Sequence, residues 1–482
     1  MTTAAGQILP AVIMVAAVVG LGVPSAVRAG TRLHLPLSTV LGLIPLLGLA
    51  TLGSATLVIG HLNGLGAWLP AAALLAGLGC AWLDRENVLA LLSRVRDAWS
   101  PQWRQSPIAI GAVAVALSIA FVAGLAPPAR TDEVEYHWPA ALQWAQVGSW
   151  VDSDFRHVDG FPLMEVIYTV PATWGAYGAA HWLHLMSLVG LGLVVAGIAT
   201  SMGIRGSAAV GTAAMAMPVV WDGAWVAYND TATGAFGLAA VAVVLGARHP
   251  LDRNAIALAA VLCAIAISIK PTGLGAVGVV ALVLLARGRN EGVRASRVAW
   301  SWVVMGAAAA VTYALWTLRR WIITGSPTDP GVFVDNPTAD MLARMPTTAD
   351  KLIAPVMPFV TGLIGSNEPW GGRTSFVVQV LLIPAIGYVA WRGGAVLRRF
   401  ALMAVPAWIH WIVMGLAGLR TRFHIVSWVM LVVAVRIAVE DLATRRPGWR
   451  LTLELLWGLC VLAGALDVSL EMLRAIRDDM IR

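Results

Sequence analysis

Long runs of apolar residues recur along the chain and constrain its fold more than any other feature. A helix of roughly 20 apolar residues crosses the hydrocarbon of a bilayer, and helices satisfy their own backbone hydrogen bonds there. The runs are continuous and lack the alternation of barrel strands. They predict an all-α, polytopic helical membrane protein with about 11–14 transmembrane helices, which forms a single integrated membrane domain over residues 1–482. The runs lie near residues 8–27, 37–60, 67–83, 107–127, 180–202, 207–221, 231–247, 255–270, 273–286, 298–318, 376–391, 400–418, 425–442 and 451–470.

The charged residues define a topology. Only 12% of the residues are charged, and the formal net charge is +7. Most arginines fall in alternate short loops, which is typical of the cytoplasmic side of a membrane protein and does not indicate nucleic-acid binding. Arg28, Arg32, Arg248 and Arg253 mark such loops. The first run, 8–27, lacks a basic segment before it and a cleavage pattern after it, so we expect it to be a spanning helix.

Two loops on the opposite, outward side are long, and long loops in a compact bundle are commonly functional. Residues 128–179 contain an acidic motif, followed by "FPLMEVIYTVPATWGAYGAAHW". The apolar and aromatic residues of that segment predict a helix lying along the membrane surface. Residues 319–375 are rich in Pro, Asp and Thr and predict a small irregular cap or lid.

The acidic motif, "RTDEVEYHWP", predicts the start of a helix that also contains candidate catalytic residues. Thr131 is a suitable N-cap, and acidic residues in a first turn favour the helix dipole. At helical spacing, Glu133 lies on one face with His137, and Asp132 lies on another with Tyr136. A carboxylate there can accept a proton from a sugar hydroxyl. Asp132 or Glu133 is therefore a candidate catalytic base, while simple capping explains the acidic residues but not His137.

Two further polar positions lie at outward ends of apolar runs. Asp230, in "YNDTAT", either caps the next helix or supplies a second carboxylate that could bind a metal ion. Lys270, in "ISIKPTG", either extends toward the lipid headgroups or binds a phosphate. Only one other lysine, Lys351, occurs in the sequence, which favours the functional interpretation of Lys270.

Positive charge on the outward side is contrary to the orientation rule and therefore needs another explanation. Arg420 and Arg422 lie in "GLRTRFHIVSW", and the planar guanidinium group suits a phosphate. The alternative is an incidental contact with lipid headgroups. Arg319 and Arg320, at the outward end of run 298–318, are a similar but weaker case.

The order of these motifs resembles the GT-C superfamily of membrane glycosyltransferases, which includes the protein O-mannosyltransferases of glycosyltransferase family 39 and the aminoarabinose transferase of lipid A. "TDEVEYHWPAALQWAQVGSW" looks like the first outer loop of such enzymes, and "GFPLMEVIY", with Pro162 and Glu165, follows it. The segments "YND", "SIKPTGL", "LRRWIITGSPTDP" and "RTRFHIVSW" look like the later landmarks of the family. The resemblance spans roughly residues 107–445.

The resemblance implies an inverting transfer of a sugar from a polyprenyl-phosphate donor to a lipid, glycan or protein acceptor. The active site would face the periplasm or exterior of the plasma membrane. Asp132 would be the favoured base and Glu133 its partner. Lys270, Arg420 and Arg422 would hold the donor phosphate, with His137, Tyr136 and Glu165 lining the substrate site. Asp230 would support the site or help bind a divalent ion, Mg²⁺ or Mn²⁺, where family members use one.

Two other functions explain some of the same features. A transporter or flippase of a lipid-linked or polar substrate would account for many helices, and it predicts ionisable residues near the middle of the bilayer and related halves. A noncatalytic membrane subunit on a GT-C-like scaffold would retain the fold without activity.

Overall fold

The computed structural model describes residues 3–105, 107–153, 158, 160–221, 223–249, 251–325, 348, 356, 374–416 and 421–481. Regular structure within these ranges is helical, and they contain no strand. The α-helices are α1 Ala4–Leu33, α2 Leu37–His61, α3 Leu69–Leu83, α4 Arg85–Gln105, α5 Pro107–Ala123, α6 Trp138–Val147, α7 Leu163–Ala172, α8 Tyr177–Ser201, α9 Ser207–Met215, α10 Pro218–Trp221, α11 Asp230–Gly246, α12 Arg253–Ile269, α13 Leu274–Asn290, α14 Ala295–Thr324, α15 Phe376–Arg392, α16 Gly394–Leu416, α17 Ile425–Arg445 and α18 Arg450–Ile481. A π-helical turn, Glu133–His137, precedes α6, and 3-10 turns occur at Pro271–Gly273, Thr421–His424 and Pro447–Trp449.

The helices have the length and polarity of a membrane bundle. Among the residues described, 7 helices are long and apolar enough to cross a bilayer, and they involve α1, α2, α8, α13, α14, α16 and α18. Shorter apolar helices are α3, α5, α7, α11, α12 and α15. Each predicted apolar run overlaps a helix. The prediction of an all-α, polytopic membrane protein is therefore confirmed.

The two shortest predicted runs differ in the structure. Run 273–286 is the single 17-residue helix α13. Run 207–221 is divided into α9, with 9 residues, and α10, with 4. The division precedes Pro218, which cannot donate a backbone hydrogen bond to the preceding turn. The chain then turns over residues 223–229 and enters α11 at Asp230.

The first long loop contains helices, and one of them is fully buried. All ten residues of α7, including Glu165, are buried in the structure. The protein therefore encloses α7, and its position along the membrane surface stays a prediction. The burial of α7 has a physical reason. Apart from Glu165 and two residues whose hydroxyls are hydrogen-bonded, α7 is apolar on every side, so it has no polar face to expose.

The second long loop begins later than predicted, because α14 continues to Thr324. Arg319 and Arg320 are consequently helical, and both are buried. The predicted cap or lid over residues 319–375 lies mostly outside the described residues. The chain is described again from Thr374, just before α15.

Close backbone approach between α1 and α2 depends on glycine. A Cβ atom on Gly22 would overlap the carbonyl oxygen of Ile44, and one on Gly48 would overlap that of Val18. Small residues allow such contact between membrane helices, where dispersion forces replace the hydrophobic effect. These glycines therefore set the spacing of the helices against which α8 packs.

Replacing Gly48 by alanine tests this packing. We expect Gly48→Ala to destabilise the protein by about 1–3 kcal/mol, since the helices must separate to accommodate the methyl group. Thermal unfolding of the purified protein in detergent measures the effect. Gly111→Ala is the matched control, because a Cβ there meets nothing within 4 Å. Equal unfolding temperatures for the two variants would contradict the proposed role of Gly48.

Candidate functional site

Four charged side chains from separate segments meet at one end of the bundle. The guanidinium Nη2 of Arg422 lies 2.7 Å from Oδ2 of Asp132, and its Nε lies 3.4 Å from Oδ2 of Asp230. Nζ of Lys270 lies 2.5 Å from Oδ1 of Asp230. We call Asp132, Arg422, Asp230 and Lys270 the ion-pair chain. It joins the first loop, the start of α11, the α12–α13 junction and the turn before α17.

Polar contacts extend the ion-pair chain to two more of the predicted residues. Lys270 also donates to the side-chain oxygen of Asn229 over 3.3 Å, and the Asn229 amide donates to Oε1 of Glu165 over 3.5 Å. The same Glu165 oxygen lies 2.5 Å from Nδ1 of His137. Oε2 of Glu165 is enclosed and has no hydrogen-bond partner among the residues described. His137 and Glu165 therefore form the buried side of the site.

The acidic motif has the two faces predicted from its spacing, but its local geometry differs. Asp132 and Tyr136 are partly exposed, whereas Glu133 and His137 are buried. Residues 133–137 form a π turn, a rare geometry that is frequent at functional sites. Thr131 already has helical geometry, and the carbonyl of Arg130 accepts the N–H of Val134. The prediction that Thr131 is the N-cap is therefore wrong.

Glu133 is enclosed and makes several hydrogen bonds. Its Oε1 lies 2.5 Å from Nε2 of His181 and accepts the N–H of Ala227 over 2.9 Å, while Oε2 accepts the N–H of Ala129 over 3.2 Å. Burial opposes ionisation of this carboxyl, but His181 and the two N–H groups outweigh it, so the pKa of Glu133 is lowered. Nδ1 of His181 lies 2.8 Å from the carbonyl oxygen of Gly124. Glu133 thus connects the first loop to α8 and to the turn before α11.

Tyr136 stands beside the ion-pair chain. Its ring lies 4.3 Å from that of His137, measured between ring centres. Burial, followed by the carboxylates of Asp132 and Asp230, raises the pKa of the Tyr136 hydroxyl. The phenol therefore stays neutral at physiological pH and can both donate and accept a hydrogen bond.

Asp230 is used for ion pairing and not for capping. It is the first residue of α11, the N-cap position belongs to Asn229, and no side-chain capping bond forms there. Its two oxygens face Lys270 and Arg422, which are cations. Over the described ranges, no group of three His, Cys, Asp or Glu side chains is placed to hold a metal ion. The two cations balance the charge of Asp230, and its binding of a divalent ion stays a prediction.

The arginines predicted to bind phosphate do not all lie at the ion-pair chain. Arg420 lies outside the described residues. Arg422 is part of the ion-pair chain and is 20% exposed at its side chain. Arg319 lies near the Trp144 and Trp316 rings, at 5.9 and 5.5 Å from their centres. Arg320 faces a cavity that also borders Lys270.

That cavity is large and mostly apolar. Its volume is about 850 Å³, and it lies between α13, α14 and α16, at the ends of these helices that are near the ion-pair chain. A shallow apolar surface groove follows α13 and α14 and shares Leu274, Tyr313 and Thr317 with the cavity. Polar or charged groups on the wall of the cavity include Lys270, Arg320 and His410. The arrangement suits a ligand with an anionic head and an apolar chain.

Comparison of the chain with models of protein families, with curated proteins and with solved structures finds no match. The resemblance to GT-C glycosyltransferases consequently rests on the order of the sequence motifs, and membership of that superfamily stays a prediction. The function has to be argued from the site itself.

Several site residues lie outside the sequence prediction. His181 pairs with Glu133, and His410 lies in the wall of the large cavity. The ring of Phe423 packs 4.2 Å from Nζ of Lys270, measured to the ring centre. Each histidine is an ionisable residue within an apolar run, and an intramembrane ionisable residue is itself a signal of function. Phe423 has no such signal, since an aromatic residue near a membrane boundary is common.

Glu133→Gln tests the structural role of this carboxylate. We expect the substitution to lower the free energy of unfolding by about 1–3 kcal/mol, because the amide places a donor where the native oxygen accepts hydrogen bonds. The pKa of Glu133 is lowered by folding. Its stabilisation is therefore present above the ordinary pKa of glutamate and is lost as pH falls through the lowered value.

Thermal unfolding of wild type and variant, measured from neutral to acidic pH, checks both expectations. The difference in stability between wild type and Glu133→Gln should be largest at neutral pH and should become smaller in acid. Glu135→Gln is the matched control, since Glu135 is exposed on the same turn. The role is refuted if the two variants are equally stable.

Proposed function

We propose that the protein is an inverting glycosyltransferase that takes its sugar from a polyprenyl-phosphate donor at the outer face of a membrane. One observation carries the proposal: the ion-pair chain adjoins a large apolar cavity, and Lys270 belongs to both. A carboxylate able to act as a base thus lies beside a site suited to a lipid with an anionic head. The acceptor is a hydroxyl of a lipid, glycan or protein.

The shape of the cavity supports a long apolar donor. Along α13 its wall extends from Leu274 to Leu282, about 12 Å at the rise of an α-helix. Gly275 and Gly278 lie on this wall and leave room for a chain beside the helix. The neighbouring surface groove along α13 and α14 extends the apolar surface. Polyprenyl units fit such a surface because they are apolar throughout.

Lys270 and Arg320 support binding of the donor phosphate. A lysine has three N–H donors, and two of those of Lys270 are directed to Asp230 and Asn229. The third remains for a phosphate oxygen at the cavity. Arg320 borders the same cavity from α14. Arg422 lies between two carboxylates, so we assign it first to the orientation of Asp132, and its contact with phosphate stays a prediction.

Asp132 is the proposed base. Arg422 holds its Oδ2, while Oδ1 has no hydrogen-bond partner among the described residues and the side chain is 24% exposed. Oδ1 accepts the proton of the acceptor hydroxyl as the acceptor oxygen attacks the anomeric carbon. The bond from that carbon to the phosphate oxygen breaks on the opposite face, and its electron pair leaves with the lipid phosphate. Attack opposite the leaving group inverts the anomeric centre, and nearby cations stabilise the departing charge.

Glu133 and Tyr136 take supporting roles in this mechanism. Glu133 is fully enclosed, so we assign it to positioning the π turn in place of the acceptor contact expected from the sequence. Tyr136 is partly exposed beside Asp132, and its neutral hydroxyl suits a hydrogen bond to a sugar. His137 and Glu165 hold the buried face of the turn.

One observation favours the transporter alternative. Arg436, 1% exposed within α17, lies 2.5 Å from Glu454 and 3.5 Å from Glu440. Buried ionisable groups between membrane helices are typical of transport pathways. The three charges also form a locally paired group, which is consistent with a purely structural role. Release of polyprenyl phosphate separates the alternatives, since transport leaves the donor intact.

Asp132→Asn tests the mechanism. We expect the purified variant to release polyprenyl phosphate from a panel of polyprenyl-phosphate sugars about 10²- to 10⁴-fold more slowly than wild type, because the amide cannot accept the proton. Donor binding should change little. Glu135→Gln, an exposed neighbour on the same turn, should remain active. Equal release by Asp132→Asn and wild type, or no release with any donor, would overturn the proposal.

Lys270→Met tests the phosphate contact. We expect donor affinity to fall about tenfold to a hundredfold, since a hydrogen bond to a charged group is lost. Lys270→Arg keeps the positive charge and should retain most of the donor affinity. Equilibrium binding of a polyprenyl phosphate measures both variants. If Lys270→Met binds as tightly as wild type, Lys270 does not hold the phosphate.

A further inference from the structure

His410 is a polar residue inside an apolar part of the bundle. It lies in α16 and is buried, 7% exposed. Nδ1 of its ring lies 2.6 Å from the hydroxyl of Ser427, on the first turns of α17. The ring of His424 packs against it, with the centres 6.3 Å apart. One ring nitrogen is therefore oriented by a partner, and the ring plane is restricted by its neighbours.

The other ring nitrogen faces the large cavity. Nε2 has no hydrogen-bond partner in the ranges described, yet it is not among the enclosed polar atoms that lack one. It therefore has access to open space. A Cβ on Gly275 would overlap this nitrogen, and both residues line the cavity that contains Lys270. Gly275 thus leaves Nε2 uncovered at the cavity wall.

We propose that Nε2 of His410 donates a hydrogen bond to the phosphate of the lipid bound in this cavity, as a second contact beside Lys270. This inference rests on the proposed function, which supplies the lipid phosphate. The proposal requires the Ser427 hydroxyl to donate to Nδ1, in which case the neutral ring carries its proton on Nε2. A polar group that faces a cavity within a membrane is commonly a ligand contact, since the exposure is otherwise unfavourable.

The contact distinguishes a phosphate from an uncharged head. Hydrogen bonds to an ionised acceptor are stronger than those between neutral groups. His410 consequently selects for a lipid phosphate over the corresponding alcohol. Lys270 contributes charge at the same cavity, while His410 contributes a donor with a direction fixed by Ser427.

Binding of farnesyl phosphate and of farnesol to the purified full-length protein tests this role. We expect His410→Phe to bind farnesyl phosphate about tenfold more weakly than wild type and farnesol equally well, because only the phosphate contact is lost. His410→Gln keeps an N–H donor and should retain most of the affinity. A role in packing alone would reduce binding of both ligands and would not be restored by glutamine.

Two glycine variants form a second, independent test. Gly275→Ala should weaken phosphate binding as His410→Phe does, since the methyl group displaces or covers Nε2. Gly387→Ala is the matched control, because Gly387 is also a glycine inside a membrane helix, lies outside the cavity lining, and its Cβ meets nothing within 4 Å. The inference is overturned if His410→Phe binds farnesyl phosphate like wild type, if both ligands lose affinity alike, or if wild type does not bind the phosphate.

The result separates this contact from the proposed reaction. Phosphate-selective binding that depends on His410, without release of polyprenyl phosphate from any donor, would support the contact and reject the transferase. Sugar transfer by wild type together with unchanged farnesyl phosphate binding by His410→Phe would support the transferase and reject the contact.

Discussion

Arg422 determines the arrangement of the site because it pairs with two carboxylates that come from different parts of the chain. Asp132 belongs to the first loop and Asp230 to the start of α11, and the guanidinium group between them joins the two segments. Removing one partner of a part-buried ion pair leaves the other charge uncompensated, which is strongly unfavourable. The position of the first loop over the bundle therefore depends on the turn before α17, and the mouth of the large cavity is formed at the same place.

Much of the fold could be predicted from hydropathy, since the cost of exposing backbone to lipid leaves few alternatives to helices. The alternation of faces in the acidic motif was also predictable, and Asp132 with Tyr136 lies opposite Glu133 with His137. The burial of α7 was not, because an apolar segment of this length is compatible with either the membrane surface or the interior. The choice depends on neighbours that local sequence does not identify.

The pairing of the polar residues is the part of the site that sequence could not supply. Asp230 has a residue type suited to capping, and only the approach of Lys270 and Arg422 distinguishes ion pairing from a cap. Glu133 resembles Asp132 in the sequence, yet its contacts with His181 and Ala227 enclose it. These contacts join residues far apart in the chain, so their geometry depends on tertiary packing, and residue type and spacing indicate at most that a polar group needs a partner.

The charge balance of the ion-pair chain has a consequence for ligand binding. Its two carboxylates and two cations have no net charge, so the ion-pair chain by itself leaves no uncompensated charge near the bilayer. A phosphate that binds beside Lys270 adds negative charge, so further donors outside this balance are needed to stabilise it. Arg320 and His410 are such groups, because both border the cavity and neither belongs to the ion-pair chain. Donor binding can then proceed without breaking the pair between Arg422 and Asp132, which keeps the proposed base oriented while the phosphate is held.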